Sequence, residues 1–450
     1  MQKTVEAMKN STRTALIQQA KTILRQNRAA GYTRPSTRLY PFQWSWDSAF
    51  IAIGYAHFDE RLAQSELLSL FKGQWNNGML PHIVFHQKKG EYFPGPDFWQ
   101  TDLHPEATRK PATSGIIQPP LHATAALHIY RFAREPARVR HFLQVIFPML
   151  KRWHEYLHQY RGGETDGLLY ICHPWESGQD NSPIWDDALR KINPTRKELP
   201  HYKRVDNQLI ASDERPDDQT YDRYVYLIEL FKAAKYDDRV IRRECPFIVR
   251  DVLFNSLYCR ANEDLAEIAR IIGEDARPYQ ERAEQIRKAV NEQLWDADHA
   301  IYVNYDGVAE KPVDVHVASG FLPLFAGIPL SERAARMFEY LNTSCFCRLS
   351  DECYAVPSFD KCHPDFSPKE YWRGPIWINI NWLLCEGLLK YGFDDYVRRV
   401  AHSIIDLPAH YGFYEYFDPQ KGCGLGSSDF SWTAALFLDK IFHQIHGAPA

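Results

Sequence analysis

Asp47-Ser48-Ala49-Phe50-Ile51-Ala52-Ile53-Gly54-Tyr55-Ala56-His57 is apolar on almost every side of a helix. The stretch that follows, Glu60-Arg61-Leu62-Ala63-Gln64-Ser65-Glu66-Leu67-Leu68-Ser69-Leu70-Phe71-Lys72, is apolar on one side only. A helix with no polar face must be buried all round, whereas an amphipathic neighbour can cover it and still meet water. An inner helix paired with an outer one is the unit of an α/α barrel, in which loops at one rim carry the site. The expected fold is therefore all-α.

The rest of the chain repeats this alternation. Upstream, Leu16, Ala20, Ile23 and Leu24 return at helical spacing over Thr14 to Ala29. Downstream, helical patterns occupy Leu121 to Arg134, Val139 to Gln159, Asp222 to Ala234, Ile248 to Arg260, Glu263 to Ile272 and Ala276 to Leu294. Further ones lie near Glu332 to Asn342, Ile376 to Lys390, Asp395 to Ile405 and Phe430 to Gln444. Ile301 to Gly307 alternates like a short hairpin strand, a minor element. Helix pairs recur without a fixed sequence period, which fits one closed barrel better than a solenoid. A single domain over residues 1–450 is expected, with long irregular segments at about 73–119 and 161–220 as a lid or cap. The first carries Trp75, Tyr92, Phe93, Phe98 and Trp99, and such rings argue against disorder.

Composition narrows the partner. A formal net charge of -4 leaves no basic field for a phosphate backbone, so nucleic acid is excluded as the main ligand. With 12 Trp and 25 Tyr, many in polar loops, the chain is equipped for a small polar molecule with apolar faces, such as a sugar. No run approaches a membrane span, and Met1-Gln2-Lys3-Thr4-Val5-Glu6 has no apolar signal core, so a soluble cytoplasmic protein is expected. Nine Cys, including Cys345-Phe346-Cys347, lack the spacing of a zinc knuckle or redox pair and read as reduced, mostly buried thiols. His82, His86, His122 and His128 do not form a ligand set, so neither a catalytic metal nor a cofactor is expected. An apolar face on an outer helix would make a homo-oligomer one of the expected assemblies.

Four loops mix aromatics with ionisable groups: Tyr40-Pro41-Phe42-Gln43-Trp44-Ser45-Trp46-Asp47, His173 to Asp186, Tyr371-Trp372-Arg373-Gly374-Pro375-Ile376-Trp377, and Phe413 to Pro419. Cleaving an acetal takes an acid to protonate the leaving oxygen and a carboxylate to activate water on the opposite ring face. Asp180 and Glu415 are the expected pair, with Glu176, four residues before Asp180, as the alternative acid. Trp175 beside the acids provides the apolar wall that keeps a carboxyl protonated near neutrality. Asp47 opens a helix and can serve its dipole, a sugar, or both. If the ligand carries a carboxylate, Arg34, Arg215 and Arg223 are candidates to receive it with two parallel donors.

Tyr40 to Asp47, Glu176-Ser-Gly-Gln-Asp-Asn-Ser-Pro183, Tyr371 to Trp377, Glu415-Tyr-Phe-Asp-Pro419 and Phe430-Ser-Trp-Thr-Ala434 span almost the whole chain. As a set they resemble glycoside hydrolase family 63, in particular its compact mannosylglycerate and glucosylglycerate hydrolases. The resemblance implies an (α/α)6 barrel with long aromatic-rich loops at one rim and a few short strands. It also implies inversion, with Asp180 as general acid and Glu415 as general base. Trp46, Asp47, Trp372 and Trp377 would surround the sugar; Tyr40, Gln118 and Arg215 would receive glycerate. Trp44, Tyr92, Tyr371, Arg373 and Gly374 complete the expected substrate-binding set. The alternatives are an α-glucosidase on glucosylglycerol or a kojibiose-like disaccharide, a sugar isomerase or epimerase, and a binding protein without turnover. An isomerase would lean on histidine, and the four loops offer mainly His173.

Overall fold

Six inner elements close on one another in a ring: Ser45–Ala56, His122–Arg131, Val252–Ile272, the 3₁₀ segment Ala318–Leu324, Ile378–Lys390 and Ser431–His446, the last packing back on the first. Outside them lie Asn10–Asn27, Glu60–Phe71, Pro136–Tyr160, Arg277–Gln293, Ser331–Leu341 and Asp394–Tyr411, each against an inner partner. This is the expected (α/α)6 barrel, seen in a computed structural model that describes residues 10–87 and 92–446. Residues 88–91 of the expected lid and the stretch Met1 to Glu6 read for a signal lie outside the described residues.

The burial follows the patterning that predicts it. Every residue of Ser45–Ala56 is buried, whereas Glu60–Phe71 buries Ala63, Glu66, Leu67, Ser69, Leu70 and Phe71 and turns its other side outward. Asp59 caps that outer helix by accepting from Leu62 N at 3.1 Å.

Two helices expected over Ile248 to Arg260 and Glu263 to Ile272 are one continuous helix, Val252–Ile272. The misreading arises at Asn262, a polar residue that looks like a helix end. It is buried, donates to Tyr258 O at 2.7 Å and meets His154 Nδ1 at 3.1 Å, so its polarity is satisfied inside the core. The sheets are small antiparallel ladders; the one at the rim pairs Gln43 with Val84 and Val84 with Thr113, tying the first aromatic loop to residues 83–85 and 112–113. No helix among the described residues is long and apolar enough to cross a membrane.

The thiol expectation fails for four of the nine cysteines. Cys345 pairs with Cys362 and Cys347 with Cys353, across Cα separations of 5.0 and 6.3 Å. These bridges staple the irregular segment between Ser331–Leu341 and Ile378–Lys390, where little regular structure fixes the chain; the partners lie downstream, out of reach of a spacing argument centred on Cys345-Phe-Cys347. Cys172, Cys245, Cys259 and Cys385 are buried free thiols, as expected, and Cys423 is partly buried. Disulfides persist in oxidising surroundings, so the cysteines no longer support a reducing compartment.

Candidate active site

The inner helices present their N-terminal ends to one rim. Trp46 and Asp47 start the first, Gln118 precedes the second, Tyr371 to Trp377 precede the fifth, and Phe430 and Trp432 bracket the start of the sixth. There a cavity is lined by Tyr40, Trp44, Trp46, Asp47, Tyr92, Gln118, Asp180, Arg215, Tyr371 and Glu415, among others. Both expected catalytic carboxyls face this one space.

Glu415 stands at the head of the short strand Tyr416–Phe417, which pairs with Gly424–Leu425. Its backbone is fixed by Glu415 N to Ser427 O at 2.9 Å and by the Trp432 indole donating to its carbonyl at 3.3 Å. Four donors reach its carboxylate: Tyr40 OH (2.7 Å) and Tyr371 OH (3.3 Å) on Oε1, Arg215 (3.2 Å) and Ser427 N (3.1 Å) on Oε2. Gly426, at φ +68, makes room for it, since a Cβ there would lie 2.6 Å from Glu415 Oε2.

Asp180 sits in a loop built of two 3₁₀ turns, Pro174–Ser177 and Pro183–Trp185. His173 accepts from Trp175 N at 3.0 Å, Ser177 Oγ donates to Pro174 O at 2.6 Å, and the Trp185 indole donates to Gln179 O at 2.7 Å. Gly178 at φ +71 lets the loop lie flat on Trp46, whose ring a Cβ would overlap at 2.4 Å. Tyr224 OH anchors the Asp180 carbonyl at 2.6 Å, leaving the carboxyl to the cavity. Burial pushes that carboxyl up to about 7; Arg215 opposes the shift and Glu415 adds to it. Asp47 is likewise raised well above its ordinary value by burial, then by Glu415. The cavity therefore holds two carboxyls raised by burial, Asp180 and Asp47, and a third, Glu415, engaged in an ion pair with Arg215.

Glu176, the alternative acid, is not in the cavity lining. It is fully buried and accepts from Arg161 at 2.9 and 2.8 Å, Cys172 N at 2.7 Å and Ile117 N at 3.2 Å. A carboxylate so saturated with donors, and outside the cavity wall, holds the loop together and meets no substrate. Removing one member of a buried ion pair costs about 3–5 kcal/mol when the other is left alone, and Asp238, 3.2 Å from Arg161 Nε, keeps the loss toward the lower end. Glu176→Ala is thus expected to lower unfolding free energy by that order in urea titration while kcat per folded molecule changes less than about tenfold; a fully folded, inactive variant would return Glu176 to the acid's role.

Of the three arginines, Arg34 is spent on Asn27 O and Gln26 O, and Arg223 on Ile192 O. Arg215 alone of them lines the cavity, its guanidinium 4.4 Å over the Tyr371 ring, bonded to Tyr40 OH at 3.1 Å, with Nε buried and unpartnered. Trp372, Arg373, Gly374 and Trp377 stand behind the lining. The two indoles stack on each other at 3.7 Å with an interplanar angle of 3°, Arg373 pairs with Asp186, and Gly374 N donates to Ser358 Oγ. Trp377 supports Tyr371, donating to its carbonyl at 3.1 Å, and Tyr371 is held at φ +29, a costly backbone state found where a side chain must be aimed.

Sequence reasoning missed Asp206 and Tyr221 in the lining. Arg204 grips its near neighbour Asp206 with two bonds (3.1 and 2.7 Å) and lies 4.4 Å over Tyr221, and it is this second contact, across seventeen residues, that no local motif announces.

Comparison with known proteins shows the family and the fold. A family model described as the mannosylglycerate hydrolase MGH1-like glycoside hydrolase domain matches residues 40–433. A mannosylglycerate hydrolase of Rubrobacter radiotolerans is 46% identical over 426 residues, covering 95% of this chain and 96% of that protein. A glucosylglycerate hydrolase of Mycolicibacterium hassiacum is 38% identical over 443 residues, covering 95% and 98%. The crystal structure of a family 63 mannosylglycerate hydrolase from Thermus thermophilus with Tris and D-glycerate superposes with a TM-score of 0.88 at 42% identity, covering 94% of this chain and 99% of that one.

Proposed function

Since the chain belongs to the mannosylglycerate hydrolase MGH1-like glycoside hydrolases of family 63, and is thereby a glycosidase, we propose that it cleaves a small α-linked mannoside or glucoside whose aglycone is a short hydroxy acid such as glycerate. Asp180 donates a proton to the leaving oxygen; Glu415 takes one from water, which attacks the anomeric carbon from the opposite face. The observation that carries this reading is the pair of carboxyls in one cavity with opposite surroundings, Asp180 held protonated by burial and Glu415 held as an acceptor by four donors.

Arg215 supports an acidic aglycone: it lines the cavity, and a guanidinium there is a planar fork suited to a carboxylate. Trp44, Trp46 and Tyr92 supply apolar faces for the ring, and Asp47, with Gln118 fixed by Trp46 N at 3.2 Å, supplies polar groups at its rim. Trp372 and Trp377 act through Tyr371, and Arg373 and Gly374 shape that loop. The segments 73–119 and 161–220 cap the site within one catalytic domain, contributing Tyr92, Phe93, Trp175, Asp180, Asp206 and Arg215 to its wall.

The isomerase reading finds little support in the histidines: His82, which lines the cavity, is held by Ser114 Oγ at 2.7 Å and driven well below its ordinary value by burial. His173 is buried with both ring nitrogens engaged, by Tyr224 O and Trp175 N, and burial depresses it to about 3. The test is a panel of mannosylglycerate, glucosylglycerate, glucosylglycerol and kojibiose followed by proton NMR. Glycerate release with the β-anomer of the sugar appearing first is expected. The α-anomer first would contradict inversion, and no cleavage of either glycerate glycoside would contradict the substrate class.

A further inference from the structure

The inner helices that open the active cavity with their N-termini gather their C-terminal ends at the other end of the barrel. His57 caps the C-terminus of Ser45–Ala56, His128 lies in the last turn of His122–Arg131, and Asp439 lies in the later half of Ser431–His446. Their side chains meet. Asp439 Oδ1 is 2.7 Å from His57 Nε2 and 3.1 Å from His128 Nε2, and the two nitrogens are 3.4 Å apart. We propose that His57, His128 and Asp439 form a binding site for a divalent transition-metal ion of the zinc class, clamping three inner helices together far from the reaction.

Three features carry this. First, a tetrahedral ion with bonds of about 2.0–2.1 Å separates its ligand atoms by about 3.3 Å, and the three edges here need only small side-chain shifts to match that spacing. Second, Asp439 is fully buried, and every ion-pair partner it has among the described residues is a histidine: His57, His128 and His443. A buried carboxylate thus faces imidazole nitrogens, with no lysine or arginine among its ion-pair partners. Helix C-termini add their partial negative charge, which a cation offsets.

Third, the cluster has the supporting shell that a metal site needs. The Trp382 indole donates to Asp439 Oδ2 at 2.7 Å, orienting the carboxylate so that Oδ1 points between the imidazoles. His57 packs against Phe132 and stacks on Phe442, giving the dry wall that strengthens ligation. His128 and Trp382 also line a second cavity of about 190 Å³, so the cluster borders open space on the His128 side. An N₂O donor set of this kind suits zinc, cobalt or nickel over calcium or magnesium.

The test uses the full chain with any affinity tag removed. Protein stripped with a chelator is incubated with Zn²⁺, desalted, and its zinc counted by plasma mass spectrometry. Wild type is expected to retain about one zinc per chain, and Asp439→Asn and His128→Gln less than about a fifth of that. Co²⁺ is expected to give the intense visible bands of a tetrahedral ion in wild type and not in these variants. If His128→Gln fails to fold, Asp439→Asn, which keeps the side-chain shape, gives the same readout, and the zinc-dependent rise in melting temperature of wild type gives another. Wild type that retains no zinc, or variants that retain as much as wild type, would overturn the proposal.

Discussion

Asp180→Asn is expected to lower kcat on a natural α-glycoside by about 10³–10⁴-fold with KM changed little, because the amide fills the same space and cannot give up a proton. The loss depends on the leaving group. On a glycosyl fluoride, whose departing fluoride needs little protonation, the same variant is expected to lose far less, which marks Asp180 as the acid and not merely a sugar contact. The pH profile gives a second signature. Burial holds the Asp180 carboxyl up to about 7, so the proton is present below about pH 7 and lost above it, and wild-type turnover falls on that alkaline side. The residual activity of Asp180→Asn is expected to lack this limb. Stability falls on the same alkaline side as activity. A carboxyl whose folded pKa is raised contributes stability in full below its unfolded value, about 3.9, and loses it as pH rises through about 7. The asparagine variant escapes that loss and is expected to resist urea better than wild type at pH 8. An Asp180→Asn enzyme with near-normal turnover would remove the assigned role, and one that is unfolded at pH 8 would remove the electrostatic account of its environment.

The parts of this molecule that could be read from the chain were those whose cause is local. An all-apolar helix beside an amphipathic one needs no tertiary information, and Ser45–Ala56 with Glu60–Phe71 lies within two residues of its expected limits. The fourth inner element was not legible, because Ala318-Ser-Gly-Phe-Leu-Pro-Leu324 contains Gly320 and Pro323 and reads as a turn; it is a 3₁₀ segment because the ring around it, not its own propensity, holds it in place. The same contrast runs through the site. Asp180 and Glu415 stand out because acids among aromatics have few structural uses, and both reach the cavity. The acid in Glu176 was indistinguishable from them in sequence, since Arg161 lies fifteen residues away across a helix end. Trp372 and Trp377 were legible as an aromatic pair, and their stacking on each other behind Tyr371 was not, because spacing in a Gly-Pro loop does not say which way a ring turns. Arg215 was one arginine in three until the fold showed what each touches.

The other large effect belongs to Glu415. Glu415→Gln is expected to lower kcat by at least about 10³-fold on glycosides and, unlike Asp180→Asn, by a similar factor on glycosyl fluorides, because water activation is needed whatever group departs. The geometry sharpens the expectation. A carboxylate offers about four lone-pair sites, and Tyr40, Tyr371, Arg215 and Ser427 N already occupy that number. A water to be deprotonated must therefore replace one of them, and the longest contact, Tyr371 OH at 3.3 Å, is the one most readily given up. Tyr371→Phe is accordingly expected to cost less than about tenfold in kcat, whereas Tyr40→Phe, which removes the 2.7 Å bond that aims the carboxylate, costs more. That order among three neighbouring substitutions separates a base from a positioning acid. If Glu415 only held Arg215 in place, Glu415→Gln would raise KM for glycerate glycosides and leave turnover of a neutral glycosyl fluoride nearly intact, and the general base would have to be sought elsewhere in the cavity.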